Sequence, residues 1–465
     1  MKKALYFVVL LVVGVVGFGI YFLYQALPLA NGYTSKYICS QVFLADQDPE
    51  SVLKLEVKPE HPLFLLVDYK VDRDQQTVTT GGFGFLNPMT ALYRKGFGCT
   101  LLVDADRDEL LVQAKGATPQ PKPNLTMTWP EGEALDLDSI SEEVQKDKLQ
   151  KVLNDAFVEP GPDTMRNTRA VVVAYKGRII AEKYHPDFSW RDPMLGWSMS
   201  KSVTTALVGL LVKDGKLDIM APAPVAAWSG DSRNRITLDQ LLRMSSGLAF
   251  EEVYAPLKDA TNMLYGHKSM AGFAASKPLA AEPDTVWSYS SGTANIIARI
   301  VKDKTGGTLA SFNNFARRRL FDRIGMFTAI IEPDASGSFV GSSYMYASAR
   351  DWARFGLLIQ NDGVWQGERI LPEGWVKYAT TPTPAAPIGE YGAMFWLNAG
   401  SKNNPENREF PKLPADMVYL SGHNQQITAI IPSRNLIVVR LGVTHDNSWN
   451  DETFISDILR CLPLP

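Results

Sequence analysis

The sequence predicts an α+β protein: an antiparallel sheet flanked by helices, built from both ends of a long C-terminal region, with a helical subdomain beside it. Three observations carry this reading. Residues 169–175 and 178–184 are apolar, strand-like runs that meet at Lys176-Gly177, a hairpin signal. Residues 427–431 and 436–441 repeat the pattern across Pro432-Ser433-Arg434. The stretch between the two pairs is mostly of helical period, so strands at both ends enclose helices, an arrangement that closes into one sheet with a helical layer.

At the N-terminus, Lys2 and Lys3 precede residues 4–24, a run of 21 with no charge. As a helix this run is roughly 30 Å long, the thickness of a bilayer core. Residues 1–30 therefore read as a membrane anchor. The alternative is a signal segment cleaved near Ala30-Asn31-Gly32. Under either reading the basic flank stays in the cytoplasm and the rest of the chain faces the periplasm or exterior.

Residues 31–117 carry short β-type runs at 37–44, 63–71 and 99–103 without a long helical period, and predict a small β-rich extension. Residues 118–138 hold Pro119, Pro121, Pro123 and Pro130 and read as an extended connector. The main domain, 139–465, opens on Ser139-Ile140-Ser141-Glu142, a capping-box pattern predicting a helix to about Phe157. It closes on a helix from about Asp451 to Leu462.

Composition removes several function classes. With 47 basic and 50 acidic residues the net charge is −3, which leaves no electrostatic footprint for a nucleic-acid partner. The three cysteines and five histidines form no metal-binding spacing, and no metal is expected. In an oxidising compartment Cys39 is expected to pair with Cys99, leaving Cys461 as a buried thiol.

The chemistry begins at Gly196-Trp197-Ser198-Met199-Ser200-Lys201, followed by Val203, Ala206, Leu207, Leu210 and Leu211 at helical spacing until Gly215. Ser198 thus opens a buried helix, and Lys201, one turn later, projects on the same face. A hydroxyl is a weak nucleophile. A desolvated lysine of lowered pKa can serve as its base, and the Ser198 N–H can help hold an oxyanion. Ser-x-x-Lys alone occurs by chance in many chains, so its context decides.

That context is Ile236-Thr237-Leu238-Asp239-Gln240-Leu241-Leu242 running into Met244-Ser245-Ser246-Gly247-Leu248, then Gly341-Ser342-Ser343-Tyr344-Met345-Tyr346-Ala347 before Ala349-Arg350-Asp351-Trp352-Ala353-Arg354-Phe355-Gly356. With these motifs, roughly residues 140–462 resemble the serine hydrolases related to class C β-lactamases and penicillin-binding proteins. Within that group they are most similar to the 6-aminohexanoate-dimer hydrolase and esterase branch. The resemblance implies a β-lactamase/transpeptidase-like fold. Its second motif, Tyr-x-Asn or Tyr-x-Ser, is matched by Tyr289-Ser290-Ser291. This implies that Tyr289 relays a proton to the leaving group and that Ser291 is a lesser polar contact.

Lys304-Thr305-Gly306 spells the third β-lactamase motif but follows the helical stripe Ile296, Ile297, Ile300, Val301, and so reads as a helix end. The positional match is Ser421-Gly422-His423-Asn424-Gln425-Gln426 before the strand 427–431. It is similar to Gly-His-x-Gly-Gln, with Gln425 in place of the glycine. His423, Asn424 and Tyr344 are then expected to contact substrate beside Ser291.

The expected function is hydrolysis of a small amide or ester, peptide-like substrates included, through an acyl-Ser198 intermediate, with no cofactor. A mostly neutral imidazole in the third motif binds an anionic β-lactam poorly, so β-lactamase activity ranks low. The alternative is a catalytically idle penicillin-recognising fold that binds cell-wall peptide or a protein partner. Membrane contact is expected through the N-terminal helix.

Overall fold

The computed structural model describes residues 2–138, 140–161, 164–446 and 448–463. The chain opens with α1, Lys2–Phe43. None of residues 5–25 is buried, whereas Ala26, Leu27 and nearly every residue from Ala30 to Val42 are. One helix is thus apolar and uncovered over its first half and sealed inside protein over its second.

A four-stranded antiparallel sheet wraps that second half: β1 (Val67–Asp72), β2 (Thr77–Gly82), β3 (Leu86–Arg94) and β4 (Gly98–Leu101), in that order. A disulfide between Cys39 on α1 and Cys99 on β4 ties helix to sheet, as expected, and Cys461 is a buried free thiol. The run 37–44, expected as a strand, is instead the last turns of α1. The physical reason is its double-sided burial. Tyr37, Ile38, Cys39 and Val42 are all buried, and so are the polar residues between them, which leaves no solvated face to print a 3.6-residue period on the sequence. The polar groups are paired inside. Lys36 forms an ion pair with Glu332, and Ser40 Oγ and the Cys99 N–H donate to the same carboxylate at 2.8 and 2.6 Å. Glu56 accepts from the Tyr37 hydroxyl at 2.8 Å and pairs with Arg169. Residues 27–101 therefore share one continuous apolar core with the rest of the protein.

The main domain begins with α2 (Lys146–Asp155), later than the capping-box pattern indicates. Ser139 lies outside the described residues, and Ser141 accepts local bonds, its Oγ from the Glu143 N–H and its carbonyl from the Val144 N–H, without opening a helix. Then come β5 (Thr168–Tyr175) and β6 (Arg178–Tyr184), joined at Lys176 and Gly177 with φ of 50° and 78°, the left-handed pair that a two-residue hairpin turn requires. The helical middle holds α3 (Ser200–Lys213), α4 (Ser291–Lys304) and α5 (Ala349–Gln360). After it run β7 (Trp396–Leu397), β8 (Val418–Gly422), β9 (Gln426–Ile431), β10 (Leu436–Gly442) and α6 (Asp451–Leu459).

The central sheet has the order β7-β8-β9-β10-β5-β6, every pair antiparallel. Val438 on β10 pairs with Val173 on β5, so the two ends of the domain meet at the middle of one sheet. Both faces are covered. Val171 and Val173 pack with Leu149 and Leu153 of α2 and Ile455 and Ile458 of α6, while Ala170, Val172 and Ala174 join the core on the α3 and α5 side. Double coverage explains why β5 and β10 are apolar at successive positions instead of alternating.

Candidate active site

Ser198 lies where the chain leaves a short strand and enters α3. Trp197 before it has φ 48°, a left-handed conformation costing a bulky residue about 1–3 kcal/mol. Packing holds it there: the indole stacks on Tyr37 at 6.0 Å and meets His423 edge-on at 5.4 Å. From Met194 to Leu211 every residue is buried except Ser198. The turn thus presents one hydroxyl to the cleft. Gly422 of β8 comes so close that a Cβ there would lie 2.2 Å from the Gly196 carbonyl, which brings the strand edge up to the Ser198 turn.

Lys201 is 1% exposed. Its Nζ lies 3.0 Å from Ser198 Oγ, 3.1 Å from Ser291 Oγ and 2.9 Å from the Ser342 carbonyl. Burial pushes the amine down and the charge of Glu252 partly offsets this, leaving it at about 8. Near neutral pH a useful fraction of Lys201 is therefore unprotonated and able to accept the Ser198 proton.

Tyr289 enters from the loop before α4, its ring centroid 4.7 Å from Lys201 Nζ and between Trp396 and Tyr391 at 5.2 and 5.6 Å. Burial pushes its hydroxyl well above the ordinary phenol range, opposed by its interaction with Ser198. It is a protonated donor at neutral pH. Ser291, the first residue of α4, joins the group through its Oγ, and the sequence-predicted Ser198, Lys201, Tyr289 and Ser291 stand together.

Two acidic residues in this neighbourhood were not legible in the sequence. Glu252 accepts from the Ser291 N–H at 2.7 Å and from its Oγ at 2.5 Å, and the Tyr254 hydroxyl bonds both Glu252 at 3.0 Å and Ser291 Oγ at 3.2 Å. It lies in an irregular loop with no periodicity or motif to mark it. Glu60 comes from the N-terminal extension. Its Oε1 is 2.9 Å from His423 Nε2, 3.0 Å from Asn424 Nδ2 and 3.3 Å from His445 Nδ1. Burial acts to raise this carboxyl, but the hydrogen bonds from His423 and His445 outweigh it and hold it below the usual carboxylate range. The extension thus reaches the third-motif segment directly.

That segment, Gly422 to Gln426, turns with φ of 60° at Asn424 and 64° at Gln425. The left-handed backbone at Gln425 is the conformation a glycine adopts without strain, which accounts for the glycine in the pattern it resembles. His423 and Asn424 face Glu60. Tyr344 is not brought to the group: it is buried, with Lys36 Nζ 4.1 Å above its ring. Its segment serves the site instead through the Ser342 carbonyl on Lys201.

Lys304 ends α4, exposed, 13 residues or about 20 Å along the helix from Ser291. Lys304→Ala is expected to leave kcat/KM within about twofold, while His423→Ala lowers it about tenfold or more by removing the imidazole that bonds Glu60 and packs edge-on against Trp197, the residue before Ser198. Steady-state kinetics on one ester substrate checks both. An inactive but folded Lys304→Ala protein would overturn the motif placement.

Comparison with known proteins follows the same geometry. The β-lactamase family model matches residues 154–453. A 6-aminohexanoate-dimer hydrolase from Paenarthrobacter ureafaciens is 26% identical over 267 residues, 51% of this chain and 66% of the relative, so the match spans just under two thirds of that protein. Among solved structures, one from Bacillus anthracis, provisionally named a 6-aminohexanoate-dimer hydrolase, has a TM-score of 0.55 at 21% identity, covering 75% of this chain and 90% of its own. A family VIII carboxylesterase gives 0.53 at 17%, covering 68% and 98%. A penicillin-binding protein homologue from Caulobacter crescentus gives 0.52 at 14%, covering 68% and 96%. At these identities the structures speak to the fold.

Proposed function

The chain belongs to the β-lactamase family, and on that premise we propose that it is a metal-independent serine hydrolase that cleaves an amide or ester through an acyl-Ser198 intermediate. The observation that carries this is the 3.0 Å contact between Ser198 Oγ and a buried Lys201 amine lowered to about 8. Neutral Lys201 takes the Ser198 proton as Oγ bonds to the substrate carbonyl carbon, and the Ser198 N–H faces the developing oxyanion. Protonated Tyr289 donates to the leaving nitrogen or oxygen as its bond to carbon breaks, and recovers its proton from the Lys201 ammonium. Water, losing a proton to Lys201, then attacks the acyl carbon and Ser198 Oγ leaves with that proton.

The third-motif geometry supports a substrate without a carboxylate at that end. His423 and Asn424, the groups such an anion would need, already bond Glu60. This favours neutral amides and esters over β-lactams. For the N-terminus, an uncleaved anchor is favoured because Ala30, Asn31 and Gly32 lie mid-helix inside the fold, with Asn31 Nδ2 donating to the Leu86 and Asn87 carbonyls at 2.9 and 2.7 Å. The catalytic part would then stand outside the membrane.

A fluorophosphonate probe tests the reaction. It is expected to modify the peptide carrying Ser198, at a rate that rises about tenfold per pH unit below about 8 and levels above it, because only the neutral amine accepts the serine proton. No labelling, or labelling at another serine, would overturn the acyl-serine reading.

A further inference from the structure

We propose that the cavity between the Ser198 turn and the first buried turns of α1 is a subsite for the apolar tail of an amphiphilic ester or amide taken from the bilayer. This rests on the acyl-serine reading and adds a substrate class to it. The cavity, about 80 Å³, is bounded towards the catalytic group by Trp197, Tyr254 and His423, and at its far end by Leu29, Ala30 and Phe64. Its near end is polar, with Glu60 and His423 paired across it. Its far end is mainly apolar, Ala26, Leu29, Ala30, Leu63 and Phe64, with the His61 ring edge-on to Phe64. Tyr254 stacks on His423 at 6.2 Å and places its hydroxyl 3.2 Å from Ser291 Oγ, so one side chain separates the cavity from a direct partner of Lys201.

What identifies the occupant is continuity with the uncovered half of α1. Tyr24 is 66% exposed, and Leu29, on the cavity wall, follows five residues or about 7.5 Å later. Where the helix enters the fold, other segments also expose large apolar side chains. The β2–β3 turn carries exposed Phe83 and Phe85, and Gly82 beside them abuts the Leu27 side chain. The Phe83 N–H donates to the Leu66 carbonyl at 2.7 Å, which holds exposed Leu65 at the same place. Apolar residues from two segments gathered beside an apolar helix form a face suited to the interfacial layer of a membrane. A cavity walled by Ala26, Leu29 and Ala30 of that same helix stands within two turns of the face, so its occupant can be drawn from the hydrocarbon layer. A small soluble amide needs no such wall.

The test uses the full chain in lipid nanodiscs with p-nitrophenyl esters from acetyl to octanoyl, and acetate esters of butanol to octanol, which distinguish a tail on the acyl side from one on the alcohol side. In one series kcat/KM is expected to rise about two- to fourfold per added methylene. Ala30→Phe, and separately Leu63→Trp from a different segment, should flatten that rise by at least tenfold at the longest chain while leaving turnover of the shortest ester in that series within twofold. Wild-type series that are flat or falling, with acetyl esters still cleaved at Ser198, would overturn the tail subsite and leave the acyl-serine reading intact. Equal loss at every chain length in both variants would overturn it too. No turnover of any ester and no Ser198 labelling would instead remove the reading on which it rests.

Discussion

Ser198→Ala is expected to abolish turnover of every ester and amide substrate, with kcat falling by roughly 10⁴ to 10⁶, while the protein remains folded. The hydroxyl is the one group that the Met194–Leu211 stretch offers to the cleft, and its bond is to Lys201. Removing it deletes the attacking atom and almost no packing, so thermal unfolding should move by no more than a few degrees. Lys201→Ala should cost nearly as much activity for a different reason. It leaves the Ser198 hydroxyl in place but takes away the base and orphans the Ser342 carbonyl, at about 1–3 kcal/mol for a buried group left unpaired, whereas Ser291 Oγ keeps its bonds to Glu252 and Tyr254. Its unfolding temperature should therefore fall where that of Ser198→Ala does not. Activity measured beside thermal unfolding separates the two. Ser198→Ala protein retaining more than a few per cent of wild-type turnover would refute the acyl-serine mechanism.

Local rules made the Ser198–Lys201 pair readable, because three residues along a helix fix two side chains on one face whatever surrounds them. The central sheet was readable for a related reason: β5, β6, β9 and β10 are joined by turns whose residues specify their own geometry, Lys176-Gly177 above all. What escaped was set at long range. The second half of α1 is covered on all sides, so Tyr37 to Val42 show no amphipathic period and read as a strand. Glu60 and His423 are separated by 363 positions, and no spacing rule links a carboxylate in an irregular N-terminal segment to a turn before the penultimate strand. Glu252 acts on Lys201 by its charge and is tied to it by hydrogen bonds through Ser291, contacts that no local spacing records. Tyr344 failed in the opposite way. It sits in a recognisable motif, but that motif spends its tyrosine on packing under Lys36 and contributes a backbone carbonyl to the site.

The second large effect is expected from Tyr289→Phe, and it depends on the leaving group. With its hydroxyl pushed well above the phenol range, Tyr289 holds its proton until a stronger base needs it. An amide nitrogen or an alkoxide must be protonated as it departs, so these substrates should lose about 10² to 10⁴ in kcat/KM without the donor. A p-nitrophenolate leaves as a stable anion and should lose less than about tenfold. The ring itself is retained in Phe, so its contacts with Trp396, Tyr391 and the Lys201 amine persist and folding is a fair control. If Lys201 alone moved the proton from Ser198 to the leaving group, the two substrate classes would fall equally or not at all. An equal loss would assign Tyr289 to positioning, through its contact with Ser198, and take the relay away from it. A loss confined to amides and alkyl esters would leave Lys201 as the base and Tyr289 as the acid, two groups whose surroundings drive their pKa values in opposite directions by the same burial.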